Sequence, residues 1–125
     1  MKVAYIFRND MSATFQLATM ILPQLEQDSH GVEVVGMMFF DDNVYSLSSE
    51  NEIGQRLSNV AKQKNILLMI CDQRALRRGM ATGDFSQCGS GEVTAKNTVK
   101  GVIAGCFPQL YTALAGNMPD QIITL

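Results

Sequence analysis

The sequence predicts a three-layer α/β fold, with helices on both faces of a mostly parallel sheet of about five strands. Short apolar segments alternate along the chain with segments of helical periodicity, which is the pattern of repeated strand and helix units. Ile66–Ile70 is a continuous apolar run, as expected for a strand buried on both faces of a parallel sheet. The 125 residues, 46% of them apolar, contain no internal repeat or linker and predict a single domain over 1–125.

The first predicted strand, Lys2–Phe7, is followed by a helix that begins after Asp10 or Ser12 as its N-cap. Proline inside a helix removes a hydrogen bond and clashes with the preceding turn, so Pro23 should kink or break this helix near Ile21. The apolar residues that recur with helical spacing predict its inward face: Phe15, Ala18, Leu22 and Leu25.

The second predicted strand, Val32–Phe40, is β-branched at its start and rich in Met and Phe at its end. Asp41–Asn43 should form a loop after it. Ser49 and Glu52 have the spacing of a capping box and predict the start of a second helix, which leads into the Ile66–Ile70 strand. The apolar stripe of that helix is predicted to contain Ile53, Leu57 and Val60.

The last part of the chain is predicted to contain a loop, a helix and two further strands. Residues 81–91 are the richest in glycine and serine and predict a flexible loop, in which Cys88 would be mobile. Lys100–Ala104 and Gln121–Leu125 are predicted strands. Between these strands, Cys106 lies at the start of a predicted helix that has Pro108 near its first turn.

Cys71 is the residue whose position points most directly to chemistry. It ends the buried strand, and a short helix follows up to Gly79, which suits a left-handed C-terminal cap. The unpaired N–H groups of a helix N-terminus favour a thiolate, whereas the carboxylate of Asp72 raises the pKa of the adjacent sulfur. Positive charges lie about a turn beyond the cysteine, on Arg74, Arg77 and Arg78. These residues leave two interpretations open, a reactive thiol and an inert buried cysteine beside solvated arginines.

Other residues are weaker candidates. Sites in open parallel sheets form at the carboxyl ends of strands, where Asp41 and Asp42 either bind a divalent cation or form a solvated turn. Cys106 is a second thiol at a predicted helix N-terminus. His30, the only histidine, lies in a turn at the opposite edge of the sheet, and no two cysteines have metal-ligand spacing. A solvated turn is the commoner role for paired acids such as Asp41 and Asp42, so no metal site is predicted.

The composition excludes several classes of function. A net charge of −2 and an isoelectric point near 5.2 give no basic surface for nucleic acid, and no apolar stretch is long enough to span a membrane. Three cysteines at irregular spacing argue against a disulfide framework and favour a reducing compartment. The first residues suit a strand better than a signal peptide, so a cytoplasmic protein is expected.

The segment from Cys71 to Gly79 resembles the motif of the DsrE/TusD family of sulfur-relay proteins. In that motif a cysteine at a strand end is followed, at the spacing seen here, by Ala-Leu-Arg-Arg-Gly, which are residues 75–79 of this chain. Weaker similarities to the family follow one another along the sequence: Thr14–Ala18, Phe39-Phe40, Val44-Tyr45 and Asp120–Ile123. The resemblance spans nearly the whole chain in segments.

In that family the cysteine carries sulfur as a persulfide, which passes from one protein to the next. The resemblance implies a DsrE-like fold, with Cys71 as the persulfide carrier of a sulfurtransferase. Cys88 is additional to the family pattern and is a candidate second thiol. The arginine cluster, Arg74, Arg77 and Arg78, would stabilise the anionic sulfur. The resemblance also implies sulfur-donor and sulfur-acceptor proteins as partners, and a homo-oligomer that is a trimer or a hexamer.

Two alternative functions are left open by the sequence. A flavodoxin-like module would bind a phosphate or small molecule at Asn9–Thr14, where the loop after the first strand opens a helix. This loop lacks a glycine-rich pattern, and the chain has no tryptophan to stack on a flavin. A non-catalytic subunit of a sulfur-transfer complex is the other alternative, although such subunits in the family lack the cysteine. No cofactor is predicted, and enzymatic activity is left open.

Overall fold

A five-stranded parallel sheet forms the centre of the computed structural model, which describes all 125 residues. In chain order the strands are β1 (Lys2–Phe7), β2 (Glu33–Phe39), β3 (Leu67–Cys71), β4 (Ala81–Thr82), β5 (Thr94–Ala95), β6 (Val102–Gly105) and β7 (Gln121–Thr124). The sheet has the order β6-β3-β2-β1-β7, and every neighbouring pair in it is parallel. β4 and β5 form a separate antiparallel pair. The parallel sheet predicted from the sequence is therefore confirmed.

Helices cover both faces of this sheet. They are α1 (Leu22–Glu26), α2 (Glu52–Lys64), α3 (Asp72–Arg77) and α4 (Phe107–Leu114), with a π-helical segment at Ser12–Ile21 and 3-10 segments at Asp41–Leu47 and Phe85–Gln87. None of these helices is long and apolar enough to cross a membrane. On one face 25 buried residues form the main core, to which the π-helical segment, α1 and α2 contribute. On the other face nine buried residues form a smaller core, in which α4 is the only helix represented. The three-layer arrangement is thus confirmed as well.

The N-terminal caps of two helices differ from their predictions. Met11, with a φ of 64°, precedes the π-helical segment, and neither Asp10 nor Ser12 caps it. α2 begins after Asn51 and not after Ser49, because the Asn51 side chain accepts hydrogen bonds from two backbone N–H groups of the first turn, at 2.9 and 3.4 Å. The first helix therefore starts without a side-chain cap, whereas α2 is capped by a neighbour of the predicted residue.

The inward face of the first helix also differs from its prediction. The Leu22 N–H donates to Leu17 O, five residues back, so the turns of the π-helical segment are wider than those of an α-helix. Phe15, which α-helical spacing would turn inward, is therefore 52% exposed. The helix does not break before Pro23, because Ile21 and Leu22 keep right-handed helical backbone angles and the bonding changes there from π to α. Proline is tolerated at the start of the α-helical part, where its missing N–H is least needed.

The segment predicted as a flexible loop is ordered by local hydrogen bonds. β4 and β5 pair across its base. Asp84 caps the 3-10 segment that follows β4, and its carboxylate accepts the Ser86 N–H at 2.8 Å. The glycines of this segment have positive φ angles: Gly83, Gly89 and Gly91. Glycine here serves tight turns that other residues rarely adopt, so the glycine content was a signal of turns and not of an open loop.

Candidate thiol site at the carboxyl edge of the sheet

The chain has three free cysteines, and they converge at the carboxyl edge of the parallel sheet. Cys71 is the last residue of β3 and pairs in register with Gly105, the last residue of β6. Cys106 follows directly and is the N-cap residue of α4. Cys88 follows the Phe85–Gln87 turn, in the segment between β4 and β5. One strand pairing and one folded loop therefore bring together thiols that are distant in sequence.

Side-chain hydrogen bonds hold the turn that contains Cys88 against the rest of the site. Asp72 Oδ2 accepts the N–H of Gly89 at 2.7 Å. Gln109 Nε2 donates to the carbonyl oxygen of the same glycine at 2.8 Å, and Gln109 Oε1 accepts the Cys106 N–H at 2.8 Å. The turn is thus tied on one side to the start of α3 and on the other to α4, in contrast to the flexible loop that the sequence predicts.

Asp72 is a buried carboxylate whose two oxygens are both used. It is 1% exposed, and its Oδ1 accepts the Gln73 N–H at 2.7 Å while its Oδ2 accepts the Gly89 N–H. Charged side chains are rarely buried to this degree unless hydrogen bonds satisfy them. Asp72 therefore has a structural role in the site in addition to its predicted effect on the neighbouring thiol.

The Cys71 thiol is 3% exposed, and burial raises its pKa. The backbone N–H groups of Arg74 and Gln73 lower this pKa, although no capping hydrogen bond of ordinary geometry joins them to the sulfur. The Asp72 charge raises the pKa further, as predicted, and the Arg74 guanidinium lowers it. The net direction, which the sequence left open, is upward, so the enclosed thiol is protonated at neutral pH.

Two of the three predicted arginines form ion pairs with the acidic residues after β2. Arg74 Nε donates to Asp41 Oδ1 at 2.9 Å, and Arg78 Nε donates to Asp42 Oδ1 at 3.0 Å. The carboxylates considered as cation ligands thus serve as ion-pair partners on the surface. No group of three or more His, Cys, Asp or Glu side chains is arranged to hold a metal ion.

The third arginine packs on an aromatic ring. The guanidinium carbon of Arg77 lies 5.9 Å from the centroid of the Phe85 ring, which is a cation–π distance. Of the three arginine charges, only that of Arg74 affects the pKa of Cys71. The three arginines therefore differ in their effect on the thiol, and Arg74 is the one whose charge acts on it.

Cys88 is partly exposed, and its environment differs from that of Cys71. Burial is the largest cause that raises the pKa of Cys88, followed by the charge of Asp72, by a hydrogen bond to the Asp72 side chain, and then by the thiols of Cys71 and Cys106. No group lowers it. The second thiol predicted from the sequence is thus brought within electrostatic range of the first.

The loop proposed for phosphate in a flavodoxin-like module is filled by the protein itself. Asn43 Oδ1 accepts the Ala13 N–H at 3.1 Å and the Ser12 hydroxyl at 3.2 Å, and Asn43 Nδ2 donates to Asn9 O at 3.1 Å. The adjoining cavity of about 330 Å³ has these charged residues in its lining: Arg8, Asp10, Asp41 and Asp42. The Asn43 side chain already accepts the Ala13 N–H at the start of this helix, so the geometry does not favour this alternative.

His30 precedes β2 and lies away from the cysteines, at the amino edge of the sheet, as predicted. Its Nε2 is 2.8 Å from the Tyr5 hydroxyl, and its Nδ1 is 2.8 Å from Gln24 Oε1. Burial lowers its pKa. The ring is satisfied by these neighbours and has no part in the thiol site.

Gln109 is a site residue that sequence reasoning missed. Its side chain and the Cys106 backbone form half of a capping box at the start of α4. The spacing of the two residues was a readable signal, since glutamine at the third helical position is typical of this motif. Its second bond, to Gly89, crosses 20 positions of sequence and had no local signal.

Comparisons with known proteins support the fold. No family model matches the sequence, and no curated protein matches it. The crystal structure of the YchN protein of Escherichia coli superposes with a TM-score of 0.61 at 16% identity, covering 100% of this chain and 99% of that one. MTH1491 of Methanobacterium thermoautotrophicum, a protein of unknown function, gives 0.59 at 15% identity, with coverages of 99% and 98%. The chain therefore has the DsrE/YchN-like three-layer fold that the resemblance of the Cys71 segment implied.

Proposed function

We propose that this chain is a sulfur-relay protein that carries sulfur as a persulfide on Cys71 and passes it to a thiol of a partner protein. The observation that supports this most is an enclosed thiol at the carboxyl edge of the sheet, where two further thiols converge. The DsrE/YchN-like fold is compatible with this activity, as is the resemblance of residues 71–79 to the relay motif. Because all three cysteines are free, we assign this function to a reducing compartment, the cytoplasm.

The proposed transfer is thiol exchange. The Cys71 thiol gives up its proton, and the resulting thiolate attacks the outer sulfur of a donor persulfide. A new S–S bond forms, and the old S–S bond breaks to release the donor thiolate, which takes up a proton. An acceptor thiolate then attacks the outer sulfur on Cys71 and releases the Cys71 thiolate. Each step consumes one thiolate and produces one, so neither step needs an oxidant, a metal or a cofactor.

The burial of Cys71 suits a carrier. Unwanted oxidation of a cysteine follows its thiolate character and its exposure, and burial reduces both here. Sulfur held on Cys71 is sheltered until a partner opens the site. We assign Arg74 to stabilisation of the anionic sulfur, because its charge lowers the pKa of Cys71, and we assign Arg77 and Arg78 to contacts with the acidic surface of a donor or acceptor protein.

The test is to locate sulfur on the protein after incubation with a cysteine desulfurase and cysteine. Trypsin places the three cysteines in three separate peptides, 65–74, 79–96 and 101–125. We expect one sulfur atom, removable by reductant, on peptide 65–74 of the wild type. Cys71→Ser should lose that sulfur and its delivery to an acceptor thiol, because the carrier atom is gone.

Cys106→Ser is the matched control, since it removes a thiol that lies outside the proposed route. It should load peptide 65–74 to the wild-type level. Delivery that persists undiminished in Cys71→Ser would contradict the proposal. A wild type that gains no sulfur on any peptide would also contradict it and would favour a non-catalytic subunit of a sulfur-transfer complex.

We also propose that the chain forms a homo-oligomer, a trimer or a hexamer, through the sheet face that bears α4. Ile103 and Ile122 lie on this face, because their register partners, Met69 and Ala4, belong to the smaller core. Both isoleucines are more than 40% exposed, at 41% and 48%. The single helix on this face leaves them uncovered, and exposed apolar surface of this kind is typical of a protein interface.

Native mass spectrometry tests the oligomer directly. Phe107 and Tyr111 extend the same surface, with ring centroids 6.1 Å apart, and Tyr111 is 57% exposed. We expect a trimer or hexamer of the wild type and dissociation to smaller species in Tyr111→Glu, because a charge would be placed in an apolar contact. A wild type that is monomeric at micromolar concentration would overturn this assignment.

A further inference from the structure

We propose that sulfur from a protein donor enters at Cys88 and moves from there to Cys71, so that the chain contains a two-step relay of its own. This inference rests on the proposed function of Cys71. Its starting point is the difference in access between the two thiols, since Cys71 is 3% exposed while Cys88 is partly exposed. A donor cysteine on another protein must bring its sulfur into line with the attacking atom, which the buried Cys71 does not allow. Cys88 and Cys106 are both partly exposed, and of the two only Cys88 lies in a turn that is bonded to Asp72, the residue after Cys71.

Hydrogen bonds to the backbone N–H and carbonyl groups of the next residue, Gly89, determine the position of Cys88. The Gly89 N–H is held by Asp72, which follows Cys71 directly, and the Gly89 carbonyl is held by Gln109 of α4. The carboxylate that anchors the turn is 1% exposed, so this contact is protected from water. Cys88 is thus a thiol built into the site and not a chance neighbour on a loop.

The electrostatics of Cys88 agree with this placement. Its pKa is raised by burial first, and then by the charge of Asp72 and by the thiols of Cys71 and Cys106. A hydrogen bond to the Asp72 side chain also raises this pKa, so the Cys88 thiol lies beside that carboxylate. The bond from the Gly89 N–H to Asp72 places Cys88 next to the residue that directly follows Cys71.

The chemistry of the relay balances in both steps. The Cys88 thiolate attacks the outer sulfur of the donor persulfide and releases the donor thiolate, which leaves a persulfide on Cys88. The Cys71 thiolate then attacks the outer sulfur on Cys88, and the S–S bond to Cys88 breaks to return the Cys88 thiolate. One sulfur atom has moved inward, and no electrons have been gained or lost overall.

The experiment compares two donors on the wild type, Cys88→Ser and Cys106→Ser. One donor is a cysteine desulfurase with cysteine, and the other is inorganic polysulfide, which is small enough to reach an enclosed thiol without a docking surface. The rate at which sulfur appears on peptide 65–74 is followed by mass spectrometry. With the desulfurase, we expect Cys88→Ser to be at least about tenfold slower than the wild type, and Cys106→Ser, which keeps both relay thiols, to be slowed far less.

With polysulfide, Cys88→Ser should load peptide 65–74 at the wild-type rate, whereas an unfolded variant, with Cys71 exposed, would load faster. In Cys71→Ser, sulfur from the desulfurase should instead accumulate on peptide 79–96. Wild-type loading of Cys88→Ser by the desulfurase would overturn the relay and leave the carrier function of Cys71 intact. Equal slowing with both donors would overturn it too, because Cys88 would then support Cys71 and not receive sulfur. A wild type that never gains sulfur on peptide 65–74 would refute the proposed function itself.

Discussion

Asp72→Asn is expected to lower the free energy of unfolding by about 2–3 kcal/mol, a large effect for an isosteric change. The native carboxylate accepts two backbone N–H groups, from Gln73 and Gly89, both at 2.7 Å. An asparagine has one acceptor oxygen, and its NH₂ group would face the second donor in a site that is 1% exposed. One buried N–H is therefore left without a partner. Urea denaturation at neutral pH measures the loss.

The same substitution should lower the pKa of Cys88, because the charge of Asp72 is one of the causes that raise it. The alkylation rate of peptide 79–96 would then rise at a lower pH than in the wild type. Asp42→Asn is the matched control, since that carboxylate is 81% exposed and accepts one bond from Arg78. Asp42→Asn should change the free energy of unfolding by less than about 0.5 kcal/mol and leave the pKa of Cys88 unchanged. Equal effects from the two variants would disprove the assigned role of Asp72.

Gly54→Ala is expected to destabilise the protein by about 1–3 kcal/mol, although alanine is the better helix former. An added Cβ at this position of α2 would lie 2.4 Å from Ser46 O and 3.2 Å from Leu47 Cα. Both atoms belong to the backbone of the Asp41–Leu47 segment and cannot rotate away. The helix or the segment must therefore shift, and the core beneath them loses packing.

Urea denaturation determines whether Gly54→Ala lowers or raises the free energy of unfolding. A glycine in an uncrowded helix interior gains up to about 1 kcal/mol on replacement by alanine, so a stabilised Gly54→Ala variant would contradict the close contact described here. Gly116→Ala serves as the control, because no atom lies within 4 Å of its added Cβ. Its stability should stay within about 0.5 kcal/mol of the wild type.

The sequence by itself determined the parallel sheet and the place of Cys71 within it. The apolar run at residues 66–70 and its change to helical residues are local signals, and a strand that ends in a helix at this point follows from them directly. The start of α4 at Cys106 was readable in the same way. The inward face of the first helix was less predictable, because its π-helical bonding moved Phe15 out of the predicted inward face.

Only the tertiary structure decided what surrounds the thiol. The Asp72 to Gly89 bond crosses 17 positions and the Gln109 to Gly89 bond crosses 20, and both depend on the path of a loop that has no periodic pattern. The direction in which the pKa of Cys71 moves depends on burial, which is a property of the packed layers and not of neighbouring residues. Hydrogen bonds and burial between distant segments exist only after the chain has folded, whereas helix and strand periodicity is already present in the sequence. The position of Cys71 was therefore predictable, and its environment was not.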